Sequence, residues 1–205
     1  MLETPITLAL LIINVALSGY ALMADPSLIR DLSFRPRRIV DDGEYYRLIS
    51  AGFIHGGIGH LAFNMITLYF FGPQLEGVLG PGKFLLLYFG SEMAAHGLTF
   101  AMHRNDPNYA SIGASGAISG VLFAFCLFAP FAMLYVFLAI PMPAIVFAVL
   151  YVVVSLYAIG QRETGAMGGI AHEAHLGGAL GGILLTIVLE PRSIQEFLRS
   201  IQEVL

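Results

Sequence analysis

The chain has 205 residues, 57% of them apolar and only 12% charged, with a net charge of −4 and a mean hydropathy of +0.78. Soluble domains carry roughly 25% charged residues, so lipid is the main solvent expected here, and a helical bundle is the expected unit. No basic cluster tracks a groove, which argues against nucleic acid as a partner, and the single cysteine, Cys126, reads as a small packing residue without an internal disulfide partner.

A hydrocarbon core about 30 Å thick needs roughly 20 apolar residues per helix. Breaks at Pro, Gly and charged residues leave six candidate spans, about 5–23, 58–78, 83–103, 113–129, 142–160 and 169–189. The first has Glu3 as its only charge and Leu22-Met23-Ala24 as a poor cleavage site, so it reads as a retained helix rather than a signal peptide. The loop 24–57 holds five of the ten basic residues, Arg30, Arg35, Arg37, Arg38 and Arg47, and a loop that long is often functional. The ten apolar residues from Phe131 to Ile140, between Pro130 and Pro141, are too few to cross and read as interfacial. From Pro191 onward, Ile194, Phe197, Leu198, Ile201 and Val204 fall at helical spacing, as in a short amphipathic helix lying on a surface. With no tandem repeat and no soluble second domain, residues 1–190 form one membrane domain and 191–205 a tail.

Ionisable or reactive side chains inside a span are costly, so each is a functional candidate. The second span begins with His55, His60 and Asn64; the third carries Glu92 and His96; the fourth opens with Gly113-Ala114-Ser115-Gly116; the sixth contains His172, Glu173 and His175. If six helices alternate direction, spans two, four and six start on the same side. His60, Ser115 and His175 then fall within about 10 Å of a common depth, at a rise of ~1.5 Å per residue. A serine and histidines converging below one membrane face suit acyl transfer.

Close helix approach is also encoded. Gly116 and Gly120 form a small face beside Ser115, while Gly178 and Gly182 follow His175 by three and seven residues on one helical face, with Gly177 and Gly181 widening the bare stripe. That register selects His175 over His172 as the partner of the serine. Glu173 lies about 200° around the helix from His175 and cannot orient it as a triad acid would, so the unit is a dyad. Glu92 and His96, at i and i+4, read as a structural pair.

Over residues 45–189 the chain resembles the rhomboid family of intramembrane serine proteases. The likeness rests on Gly113-Ala114-Ser115-Gly116 as the GxSG motif, on Ala174-His175-Leu176-Gly177-Gly178 through Gly182 as AHxxGxxxG, and on the stretch from His55 through His60 to Asn64. Arg47, and Glu76 before Gly77, also fit.

The resemblance implies an all-α six-transmembrane-helix bundle with a partly embedded first loop and a water-filled cavity open to the outer face of the cell membrane. Ser115 would be the nucleophile of a hydrolase without a metal or other cofactor, and His175 its base. The oxyanion would be held by the Ser115 N–H, His60 and Asn64, with His55 supporting His60, and the loop Asn105 to Ile112 would dip into the membrane. Partners would be the lipid bilayer and membrane-spanning substrates cut near small residues. Some members pack a tyrosine, one turn after the serine, on the catalytic histidine. Ser119 stands there in this chain, so the base is held more loosely or by another ring.

Counting Arg30, Arg35, Arg37, Arg38, Arg47, Arg104 and Arg162 against Lys83, Arg192 and Arg199, the positive-inside rule would turn the active-site end toward the cytoplasm; the resemblance turns it outward, the embedded first loop supplying most of the count. The alternatives are a rhomboid-like binder that does not cut and a histidine-based membrane metalloprotein. His172-Glu173-Ala174-His175 lacks the HExxH spacing of a zinc protease.

Overall fold

Helix α1 (Pro5–Met23) opens on a proline, whose missing N–H costs nothing in a first turn. Its free amides are satisfied from another helix: Glu76 accepts from the backbone N–H of Ile6 at 2.9 Å and of Thr7 at 2.7 Å, and from the Thr7 hydroxyl at 2.7 Å. This is the computed structural model of the chain, and it describes residues 3–136, 139–160 and 171–204.

The loop 24–57 folds into three short helices, α2 (Ser27–Leu32), α3 (Pro36–Asp42) and α4 (Arg47–Ser50), followed by a 3-10 turn at Ala51–Phe53. Arg47 is buried and pins the loop internally. Its Nε donates to Glu44 at 2.6 Å and its guanidinium to the carbonyls of Ser33 and Arg30 at 2.8 and 3.2 Å. Phe34 carries the loop inward: it stacks on His96 with ring centroids 4.2 Å apart and exchanges two backbone hydrogen bonds with Ser111, at 2.9 and 3.1 Å.

Helix α5 (Ile58–His103) contains the second and third candidate spans as two arms. They part at Gly80, whose φ of 76° suits a residue without a Cβ, and Pro81 after it cannot donate to the preceding turn. Helix α6 (Ser115–Phe128) follows, and its residues from Gly116 to Cys126 are all buried. It is the central helix, packed between α5 and α8.

The apolar stretch read as interfacial enters an antiparallel hairpin of β1 (Met133–Val136) and β2 (Ile140–Pro143), with Met133 opposite Pro143. The fold is therefore mostly helical rather than all-α. Pro141 and Pro143 prevent a helix there, and β-branched and aromatic residues favour extended backbone. Residues 137 and 138 lie outside the described residues.

Helices α7 (Ala144–Gly160), α8 (His172–Leu189) and α9 (Arg192–Gln202) complete the chain. Residues 169 and 170 of the sixth span, and Arg162 of the basic count, lie outside the described residues. Glu190, just after α8, joins Arg192 at 2.7 Å and Lys83 at 2.8 Å, and these two cations hold its carboxyl down at about 2. Among the described helices, α1 and α8 are long and apolar enough to cross a bilayer by themselves, while α6 and α7 are shorter apolar helices. Ile12, Val15, Val149, Val153, Leu184 and Val188 are exposed, as lipid-facing residues are.

The glycines of α8 form two faces, not one widened stripe. A Cβ on Gly178 would land on the Gly116 carbonyl, and one on Gly182 on the backbone of Gly120. Gly177 instead meets α5: a Cβ there would lie 2.9 Å from the Ala94 carbonyl and 3.0 Å from the Ala95 Cα, and Gly181 likewise faces Ala94. Consecutive residues point about 100° apart on a helix, so α8 is wedged against α6 with one pair of glycines and against α5 with the other.

Candidate active site

Ser115 is the first residue of α6, and the segment before it is fixed from three sides. Gly113 has φ 108°, and a Cβ there would lie 2.5 Å from His60 Cε1 and 2.7 Å from Nε2, so both its backbone and its surroundings demand glycine. Its N–H donates to the Ala51 carbonyl at 2.9 Å, and Ser111, two residues earlier, is paired with Phe34. The first loop thus supports the serine directly.

His175 sits in the first turn of α8, and its Nε2 lies 2.7 Å from Ser115 Oγ. With the hydroxyl donating, the neutral imidazole carries its proton on Nδ1. Gly178, one turn on, makes this approach possible by resting on Gly116, the residue after the serine. The His172 ring is 6.3 Å from that of His175 and makes no bond to Ser115. Glu173 points elsewhere, accepting from the Tyr109 hydroxyl at 2.5 Å and lying 3.3 Å from His103 Nε2. Among the described residues no carboxylate is bonded to His175.

Beside Gly113 lie His60 and Asn64, from the first turns of α5. Asn64 is buried, and its amide nitrogen is 2.9 Å from His55 Nε2. The fully buried His55 has Ser18 Oγ 2.9 Å from its Nδ1, and Ser18 donates to the Phe53 carbonyl at 3.1 Å. Ser18 has one proton to give, so His55 donates through Nδ1 and accepts at Nε2 from Asn64. One of the two Asn64 N–H groups remains for another acceptor. Expected to support His60, His55 instead bonds Asn64 and meets His60 only ring edge to ring face, at a 4.9 Å centroid distance.

Glu92 and His96 do approach each other, at 3.4 Å, but the carboxylate has a second task. Its Oε2 accepts from the Ala117 N–H at 2.9 Å, which caps the helix that carries Ser115. Ser115, Gly113, Glu92, His96, Ala171 and Ala174 help line a cavity of about 20 Å³. One water needs ~10–15 Å³ measured this way.

Tyr151 of α7 is the residue the sequence reading missed. Its hydroxyl lies 2.6 Å from Ser119 Oγ, and its ring is stacked over His175 at a 6.2 Å centroid distance and a 24° angle. A buried tyrosine usually hydrogen-bonds its hydroxyl, and Ser119, one turn beyond Ser115, was a visible partner. Nothing local says that the two helices meet there.

The description "Rhomboid domain" belongs to the family model that matches residues 42–192. The chain is 30% identical over 74% of its length to rhomboid protease GluP of Bacillus subtilis, covering 27% of that protein. It is 31% identical over 82% of its length to RHOMBOID-like protein 5 of Arabidopsis thaliana, covering 52% of it. It is 33% identical over 67% of its length to the mitochondrial rhomboid protein 1 of Saccharomyces cerevisiae, covering 40% of it. The chain thus spans about half the length, or less, of these relatives.

Proposed function

The chain belongs to the rhomboid family, and from that membership and the 2.7 Å pairing of Ser115 with His175 we propose that it is a serine endopeptidase cutting transmembrane segments of other proteins. That pairing supports an acyl-transfer role: a serine hydroxyl is held on an imidazole between tightly packed helices.

Ser115 Oγ attacks the substrate carbonyl while its proton passes to His175 Nε2. The resulting oxyanion is held by the Ser115 N–H, His60 and the free N–H of Asn64, which flank Gly113 on one side of the serine. His175 returns the proton to the leaving amine, and water then hydrolyses the acyl-enzyme. Among the described residues no third member joins the dyad, and Tyr151 takes over the work of steadying the imidazole. We place six crossings in residues 1–190, with the two arms of α5 counted separately, residues 191–205 as a tail, and the site opening to the outer face of a cell membrane. Substrates are cut near small residues, where a helix unwinds at low cost.

The test is cleavage of a reporter transmembrane substrate co-reconstituted in liposomes with the purified chain. Specific cleavage that survives chelators is expected; a chain that retains the substrate without cutting it would be a binder, and inhibition by chelators reversed by zinc would point to a metalloprotein.

Two variants probe the parts around the dyad. Removing one oxyanion donor costs about 10²–10³ in rate in soluble proteases. Asn64→Ala should lower kcat by the lower end of that range or less, because His60 and a backbone N–H remain. An unchanged kcat would remove Asn64 from the site. Tyr151→Leu should lower kcat about two- to tenfold with KM little altered, an aromatic pair being worth about 0.5–1.5 kcal/mol. Ser119 reaches His175 only through Tyr151, so Ser119→Ala and Tyr151→Phe should be non-additive in the double variant. Full additivity, or a change in KM alone, would deny Tyr151 that positioning role.

A further inference from the structure

Away from the dyad, the first loop forms an open pocket of about 70 Å³ lined by Arg30, Asp31, Arg35, Arg38 and Arg47. Four guanidinium groups around so small a space repel one another unless each is neutralised. Three of them are: Arg30 by Asp31 at 3.0 Å, Arg38 by Asp42 at 2.8 Å and Arg47 by Glu44 at 2.6 Å. Arg35 is not. Its Nε donates to the Ser33 hydroxyl at 3.0 Å, and among the described residues no carboxylate lies within 4 Å to form an ion pair with it. Burial, and then Arg47, Arg38 and Arg30 in turn, lower its pKa, and the more distant Asp31 only partly opposes them. Asp31 is the one acidic lining residue, and its carboxylate is bonded to Arg30.

The pocket is therefore one negative charge short, and it is lined by guanidinium groups, whose planar N–H donors suit tetrahedral oxyanions. We propose that it is a phosphate site, occupied by the phosphodiester of an anionic lipid headgroup. Two features favour the lipid over a free phosphate. A phosphodiester carries the single negative charge that is missing at any pH near neutral, whereas free phosphate there is a mixture of monoanion and dianion. The loop also exposes Val40, Tyr45, Tyr46 and Ile49, and it begins directly where α1 ends at Met23. Exposed tyrosines and aliphatic residues beside arginines are the composition of a segment at headgroup depth. The same loop carries Phe34, so a lipid bound here rests on the segment that holds Ser111.

Native mass spectrometry of the full chain, released from a neutral detergent, tests this with three added compounds: dihexanoyl phosphatidylglycerol, dihexanoylglycerol and inorganic phosphate. The parent and Ser115→Ala should retain the phospholipid equally, since the site is independent of catalysis, and should not retain the diacylglycerol. Arg35→Gln should bind the phospholipid about tenfold more weakly, as the loss of a hydrogen bond between charged groups implies. Arg38→Gln, an exposed position where folding is not at stake, should weaken it in the same direction. Equal binding by the parent and both variants, or equal retention of the diacylglycerol, would overturn the site. Binding of inorganic phosphate without the phospholipid would overturn the lipid as its occupant.

Discussion

Ser115→Ala and His175→Ala are each expected to reduce cleavage of a transmembrane reporter below detection, a loss of about 10⁴-fold or more, while leaving the fold intact. A nucleophile and its base act as one unit, so removing either forfeits most of the rate that both provide. The double variant should be no slower than either single one. Neither substitution opens a hole in a packed interior, because both side chains are only half-buried, so thermal unfolding should stay close to that of the parent. His172→Ala is the internal comparison: its ring sits 6.3 Å from His175 without a bond to Ser115, and a substantial part of the activity should survive. If His172→Ala were inactive and His175→Ala active, the base would move by one turn. Cleavage by Ser115→Ala near the parent's rate would exclude the serine altogether.

Gly178→Val should abolish most activity and lower the melting temperature together. A Cβ at that position falls on the Gly116 carbonyl, which is backbone and cannot rotate away, so the helices must separate where Ser115 and His175 meet. Overpacking costs about 1–3 kcal/mol, and each kcal/mol corresponds to about 2–4 °C for a chain of this size. An ångström of misplacement can cost about 10²-fold in rate. Gly177→Val also meets backbone, on α5, so it should destabilise comparably and not mildly. It should spare more activity per degree of melting lost, since the α6 contact is kept. Gly97→Ala, at a position with open space around the missing Cβ, should be neutral or slightly stabilising through helix propensity. Measuring cleavage and unfolding for all three separates the packing of the dyad from packing in general. A Gly178→Val variant as active and stable as the parent would contradict the contact.

The helices were legible in the sequence wherever apolar length alone decides. The spans 5–23, 142–160 and 169–189 lie within a few residues of Pro5–Met23, Ala144–Gly160 and His172–Leu189. Prolines and charges set those ends locally. The facing of Gly178 toward Gly116 was also legible, because helical periodicity puts it on the side of His175. The second face, with Gly177 and Gly181 on Ala94, was not, because nothing in one helix says how many neighbours it has. For the same reason Glu92 read as a partner of His96 and not as the cap of Ala117, 25 residues away. Phe34 and Tyr151 looked like ordinary apolar residues. Their positions against Ser111 and His175 arise from contacts across 77 and 24 residues of chain, which no local pattern encodes. The hairpin was hidden because a short apolar run between prolines has no periodicity long enough to separate strand from helix.

Activation of Ser115 by His175 is measured most directly by labelling of the purified chain with a fluorophosphonate probe, the modified residue being located by peptide mass spectrometry. Only a serine activated by a base should react at neutral pH. One adduct is expected on Ser115, lost in Ser115→Ala and in His175→Ala and retained in His172→Ala. Absence of labelling on a folded parent protein, or labelling undiminished in His175→Ala, would contradict that activation.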